Sequence, residues 1–447
     1  MKKWLKIVVC GLALLKSDFC EAKLFNATEF GLDNGLRVVV IPNHKAPIVK
    51  HMLWYKVGSA DEELGKGGTA HLLEHLMFRG TKRVEGSLFN QIMENNGIVS
   101  NAFTSYDYTA YHQEMDISKL ELAMFLEADR MKNLRISDAD FDLERDIVFQ
   151  ERKQVVENNP LAVFYENMRK VLWQDYAYAR PVSGTPNEIK SLKIEDVRNF
   201  YEKYYVPQNA FLVLSGDIDV KTARRLAQKY YGDIEKGKGI ARKDQENLKD
   251  DFSAQFEMKL PAVKSLRMSQ NWLVSSINEN YGDDVYALMI LSKYLGEGKT
   301  SKLYKELVQN QKLALAVETS YDYLLSGKGT FSISLLPREG LDAKEVDEAL
   351  QKALEKAVAA ISLDEIENTK RKMLSGMVYL KDNPNSAAEI VGTMLASGMK
   401  LDEIESWAEN IEKVNYRQVL NAGKQLLKRK VRLKARVIPL KENENHV

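Results

Sequence analysis

Residues 67–81 read Gly67-Gly68-Thr69-Ala70-His71-Leu72-Leu73-Glu74-His75-Leu76-Met77-Phe78-Arg79-Gly80-Thr81, with two histidines four positions apart and a glutamate between them. Apolar spacing from Thr69 to Phe78 predicts a helix, and Thr69 is its candidate N-cap. Positions i and i+4 share one helix face, so His71 and His75 can reach one metal ion. Glu74 lies three residues after His71, near the same face, where it can take a proton from a water that the metal activates. Zinc suits this arrangement, because two or three protein ligands leave a coordination position for water and the metal lowers the pKa of that water towards ~7. A carboxylate then completes the proton transfer to a leaving amine.

A further ligand has to come from elsewhere in the chain. A helix predicted over Asp138–Asn158 places Phe141, Glu144, Val148, Glu151 and Val155 within an arc of about 80°. Two carboxylates on an apolar stripe are costly unless they meet a cation or a hydrogen-bond donor. Arg145 and Arg152 are neighbouring salt-bridge candidates. The histidine pair favours a metal-ligand role for one of the two glutamates.

The order His-x-x-Glu-His inverts the commoner zinc motif and resembles that of the inverzincins, the family of pitrilysin, insulin-degrading enzyme and mitochondrial processing peptidase. The resemblance implies a glutamate ligand 76 residues past the second histidine and another functional glutamate seven before it. Glu151 stands 76 residues after His75, and Glu144 seven before Glu151. His71, His75 and Glu151 are thus the expected zinc ligands, Glu74 the catalytic base and Glu144 a supporting residue of the site. Glu74–Thr81 is similar to the family's continuation of the zinc helix. Ser100, Asn101, Ala102, Phe103 and Thr104, followed by Asp107, Thr109 and Tyr111, resemble its substrate-binding edge strand, which takes an extended peptide by β-addition. Arg180–Gly184 and Tyr205–Pro207 resemble turns of the family. The likeness extends over nearly the whole mature chain and is densest from Gly67 to Asn158.

The length, 447 residues, exceeds one ordinary core. Hydrophobic residues make up 45% and charged residues 28%, the balance of a soluble globular protein. The charge- and glycine-rich stretch 232–254 reads as a linker. It separates an N-terminal zinc-binding domain (23–231) from a related, non-catalytic C-terminal domain (255–447). Ile189, Leu192 and Val197 fall on Ile411, Val414 and Val419 at an offset of 222 residues, and Ala210–Ser215 falls on Arg432–Val437. Strand clusters at Leu36–Ile41, Ile48–Val57 and Ala110–Met115, with long helices between, predict two related α+β domains from a duplication. The resemblance implies that together they form half of a clamshell peptidase.

The same offset places Lys293, Gly296 and Glu297 opposite His71, Glu74 and His75, so the second half does not repeat the metal motif. Active single-chain relatives carry in that half an arginine and, seven residues on, a tyrosine that bind substrate and stabilise the oxyanion. Val308 and Leu315 stand at the aligned positions here, with Tyr321 and Tyr323 nearby. The resemblance therefore implies a heterodimer in which a related subunit supplies the missing pair. The expected activity is zinc-dependent endopeptidase action on extended peptides or small unfolded proteins. A non-catalytic structural subunit and a peptide-binding clamp of the same fold are the alternatives.

The N-terminus carries Lys2, Lys3 and Lys6, an apolar run from Ile7 to Leu15, and Cys20-Glu21-Ala22 before Lys23. These features predict a cleaved signal peptide over 1–22, and with it a bacterial periplasmic location. No membrane span is expected after its removal. Both cysteines, Cys10 and Cys20, fall in that segment, which leaves the mature chain without disulfides or thiolate ligands. Removing the segment takes the formal charge from +1 to −1, which excludes electrostatic capture of nucleic acid. His44, His51, His112 and His446 show no ligand spacing and read as structural or surface residues.

Overall fold

The protein is described by a computed structural model covering residues 23–86, 88–239, 252–261, 263–279, 282 and 284–440. The expected signal peptide, His446 and the middle of the expected linker (240–251) lie outside the described residues. Before that gap Ile234 is buried in the first core, and after it Ala254 opens a strand.

The described strands form two sheets. Six belong to the first half: β1 (Thr28–Gly31), β2 (Arg37–Pro42), β3 (Ile48–Tyr55), β4 (Val99–Thr104), β5 (Thr109–Asp116) and β6 (Ala210–Gly216). Their order is β1-β2-β6-β3-β5-β4. The second half contributes β7 (Ala254–Leu260), β8 (Arg267–Val274), β9 (Ala314–Asp322), β10 (Gly329–Pro337) and β11 (Leu433–Pro439), ordered β7-β11-β8-β10-β9. Central β3 and β6 are mostly apolar and are buried on both faces over nearly all their length, as strands covered on two sides must be.

The two sheets repeat one topology. β2 pairs parallel with β6 as β7 does with β11, and the remaining equivalent neighbours pair antiparallel in both halves. Strand register also corrects the single offset expected from the sequence. Phe211 faces Arg37 and Trp54 as Leu433 faces Ala254 and Asn271, so β5 and β6 keep the expected spacing while β2 and β3 keep a shorter one. Phe103 of β4 likewise maps onto Ser320 of β9. The difference lies in the hairpin turns, 105–108 in the first half and 323–328 in the second. Counted with β3 and β4, the positions opposite His71, Glu74 and His75 become Leu288, Leu291 and Ser292, not Lys293, Gly296 and Glu297. All three are buried in the helix Val285–Gly296, which fills the second core where the first half places its histidine motif.

The halves exchange covering helices. Pro384–Ala396, from the second half, lies across β3 and β6 of the first sheet. Pro160–Trp173, from the first half, lies on β7 and β11, with Phe164 stacked on Phe256 at 5.6 Å. One continuous core therefore contains Trp54 and Phe211 together with Leu291 and Val391. The chain start joins it too: Leu24, Phe25 and Ala27 are buried, and the Glu405 carboxylate accepts the N–H groups of Phe25 (2.8 Å) and Ala27 (2.6 Å). No described helix is long and apolar enough to cross a membrane.

Candidate metal centre

The motif helix spans Thr69–Leu76, with its apolar Leu72, Leu73 and Leu76 buried. Thr69 is not its N-cap. Gly68 takes that position with φ near 90°, a left-handed conformation that glycine adopts without strain. The Thr69 hydroxyl instead donates back to the Lys66 carbonyl. The first turn is held by buried Glu62, whose carboxylate accepts the N–H groups of Gly68 (3.1 Å) and Ala70 (2.8 Å). An anion at a helix start is favourable, although burial pushes this carboxyl up to about 8. The cap fixes the pitch of the first turn and so the direction of His71.

The second element is the helix Asp138–Arg152, which continues as one π-helical turn, Lys153–Glu157. Phe141, Glu144 and Val148 are buried, and the stripe then emerges, leaving the Glu151 side chain 44% exposed and Val155 57% exposed. The expected apolar end of the stripe is thus a cavity wall and not core. Neither glutamate uses the arginines adjacent in sequence. Arg145 pairs with Asp142, and Arg152 with Glu157 and Glu166.

The two helices pack together and converge their polar groups. Donor atoms of His71, His75 and Glu151 lie within 4.8 Å of one another. One Glu151 oxygen is 3.4 Å from His75 Nε2 and 3.9 Å from His71 Nε2. Glu144 sits behind, 3.0 Å from His75 Nδ1, and accepts a bond from Arg79 Nε. This contact directs Nε2 of His75 into the site. The three groups fit a divalent cation. His71 and His75 both turn Nε2 towards the same Glu151 oxygen, so these three donor atoms can share one cation.

The electrostatics of the free site follow from burial and from these same contacts. Burial drives His71 down to about 4, helped by the charge on His75. Burial opposes charge on His75 as well, but Glu144 and Glu151 outweigh it and raise this imidazole to about 9. The His75 contact holds Glu151 below the usual carboxylate range. Burial would raise Glu144, but its bonds to His75 and Arg79 prevail and lower it. Glu74 is raised by burial, partly countered by the Thr104 hydroxyl, which donates to its Oε2 at 2.5 Å.

Thr104 ends β4, the edge of the first sheet, which among the described strands pairs only with β5. Ala102 and Phe103 of this strand line a cavity of about 500 Å³ together with His71, Glu74 and Glu151. Ser100 and Asn101 lie further along the strand, outside that lining. Arg79, Thr104 and Glu62 are the site residues that sequence reasoning passed over. Arg79 sits one helical turn beyond His75, a spacing that could have been noticed. Thr104 ended the quoted strand, and only tertiary packing shows that its hydroxyl meets Glu74. Glu62 is one of three consecutive acids, and the sequence does not single it out.

The other described histidines lie apart from this set. His44 contacts Asp217, His51 contacts Gln113 and Tyr231, and His112 contacts Lys50. In the second half Val308 is half-buried against the core, and Leu315 is exposed on β9. The Tyr321 hydroxyl donates to the Ser275 carbonyl.

The chain resembles known proteins over most of its length. The insulinase (peptidase family M16) model matches residues 37–186, and the peptidase M16 inactive domain model matches residues 191–373. The zinc protease PqqE of Helicobacter pylori is 29% identical over 359 residues, spanning 78% of this chain and 80% of that protein. Among solved structures, a protease from Helicobacter pylori superposes with a TM-score of 0.83 at 24% identity, covering 92% of this chain and 99% of that one. The periplasmic protease PqqL from Escherichia coli superposes with a TM-score of 0.78 at 16% identity, covering 93% of this chain but 49% of that one. At these identities the superpositions establish the fold, two mixed α/β domains. The two family models match successive stretches that together take in most of the chain, and this chain belongs to the insulinase family of peptidases, M16.

Proposed function

We propose that the protein is a zinc-dependent endopeptidase acting on extended peptides or small unfolded proteins, its active site completed by a related partner subunit. The carrying observation is the convergence of His71, His75 and Glu151 within 4.8 Å, with Glu74 beside them at the edge strand. Two imidazoles and one carboxylate favour zinc over magnesium or calcium. Zinc bound there would supply Lewis acidity, lowering the pKa of water towards ~7 and polarising the scissile carbonyl.

The chain's own residues do the rest. Glu144 orients His75, and the Glu62 cap sets the first turn that carries His71. Glu74, raised by burial, accepts the proton of the attacking water and returns it to the leaving amine. Thr104 holds Glu74 against the strand on which a peptide adds. The half-buried Val308 and exposed Leu315 offer no donor to the oxyanion. This chain also spans 49% of PqqL, a protease about twice its length, which supports a second, related subunit as the source of those donors.

The leader-like N-terminus supports a periplasmic location in a Gram-negative bacterium. N-terminal sequencing of the protein from fractionated cells, expected to begin near Lys23, tests it. The lack of donors also supports the second reading, a peptide-holding clamp that does not cleave. Elemental analysis separates the readings first. About one zinc per wild-type chain is expected, and much less in Glu151→Ala. With a partner present, the wild type should cleave an unfolded substrate, and Glu74→Gln should keep its zinc and lose cleavage. A chain that takes up no zinc when it is supplied leaves the clamp or a non-catalytic structural subunit.

A further inference from the structure

The cavity beside the metal cluster has more charge than the proposed chemistry uses. Its charged lining consists of Glu74, Glu151, Arg152, Glu166 and Arg169, beside His71. Glu151 belongs to the metal set and Glu74 serves as the base. Arg152 and Glu166 neutralise each other at 2.8 Å, and Arg152 is further tied to Glu157. Arg169 is left over. It makes no hydrogen bond or ion pair among the described residues, and its guanidinium lies over the Tyr106 ring at 4.8 Å.

Such a cation is held in place without being neutralised. Stacking on an aromatic face leaves the in-plane N–H groups of an arginine free for a planar anion. Tyr106 stands in the turn that follows β4, so Arg169 is positioned just past the end of the strand on which a peptide would lie. Val155 and Tyr165, which are 57% and 47% exposed, add apolar surface to the lining of the same cavity. A peptide added to β4 points alternate side chains to one side, and those entering the cavity share it with these apolar groups and the guanidinium.

We infer that Arg169 is a specificity-determining residue that selects substrates carrying an acidic side chain at one position of the segment bound in this cavity. The inference rests on the peptidase reading of the site. An Asp or Glu carboxylate would dock on the guanidinium as a bidentate pair, whereas a Lys or Arg side chain would meet an uncompensated like charge.

The test is binding of peptides to the zinc-loaded Glu74→Gln protein, which cannot turn them over. Fluorescein-labelled peptides of one parent sequence would carry Glu, Gln or Lys at each position in turn, and fluorescence anisotropy would report affinity. At one position Glu is expected to bind about tenfold more tightly than Lys. Adding Arg169→Gln should shrink that preference to within about twofold, Arg169→Glu should reverse it, and Arg169→Lys should restore part of it. Preference retained in a folded Arg169→Gln protein, or tight binding with no charge preference at any position, overturns the inference and leaves the peptidase reading standing. Failure of every peptide to bind, with the partner subunit present as well as absent, overturns the peptidase reading and the inference with it.

Discussion

At the residue scale, the site depends on a few side chains whose partners lie far away in sequence. Thr104 is 30 residues from Glu74, and its hydroxyl meets that carboxylate at 2.5 Å. Thr104→Val removes the bond while keeping the shape. The expected result is a fall in kcat of about tenfold with KM and zinc content unchanged, and Thr104→Ser should recover most of it. Glu144 acts through His75, so Glu144→Gln should weaken zinc binding by about 10–100-fold, measured by competition with a chromogenic chelator. The same substitution strips Arg79 of its anion. An unchanged zinc affinity would mean that packing alone orients His75.

At the element scale, β3 carries His51 across the first core. The ring is wholly buried, 2.6 Å from Gln113 Oε1 and 2.9 Å from the Tyr231 hydroxyl. Burial holds its pKa below the ordinary 6.5, with Arg130 acting in the same direction and Glu127 and Gln113 against it. The unfolded chain therefore takes up the proton first as pH falls. The stabilising contribution is complete above 6.5 and is lost progressively below it. Urea unfolding followed from pH 7.5 to 5 should show wild type losing stability more steeply than His51→Gln, by up to ~1.4 kcal/mol per pH unit. Parallel curves would refute a neutral His51. The glutamate helix makes a related point. Its periodicity from Phe141 to Val155 was readable, but the point at which that stripe leaves the core depends on a neighbouring helix.

At the scale of the whole molecule, each half is covered by a helix of the other, so the two should unfold together. Gly392 of the helix Pro384–Ala396 packs directly on Trp54 of the first sheet: a Cβ there would stand 2.2 Å from ring carbons of Trp54. Gly392→Val should cost about 1–3 kcal/mol or more by overpacking, and it should lower the thermal midpoint of both halves in one transition. Separate transitions in calorimetry would show that the halves are independent. The buried Glu405 bonds to Phe25 and Ala27 tie the chain start to the second half in the same way. The pseudo-repeat closes through its hairpin turns, where Asp107 accepts from the Tyr178 hydroxyl (2.7 Å) and the Ser326 N–H (2.9 Å).

The sequence by itself determined what depends on local period and spacing. His71, Glu74 and His75 share a helix because four residues make about one turn, and Glu144 and Glu151 share another for the same reason. The repeat was visible at Ile189, Leu192 and Val197, since burial keeps apolar residues at equivalent places in both halves. The tertiary structure decided how those helices meet, and with it the capture of His75 by Glu144 and of Glu74 by Thr104. It also decided that the second half fills the motif position with Leu288 and Leu291, because strand register, and not a count along the chain, sets which residues correspond. The exchange of covering helices between the halves likewise arises only from packing, since an amphipathic helix carries a buried face in its sequence but not the identity of the sheet that buries it.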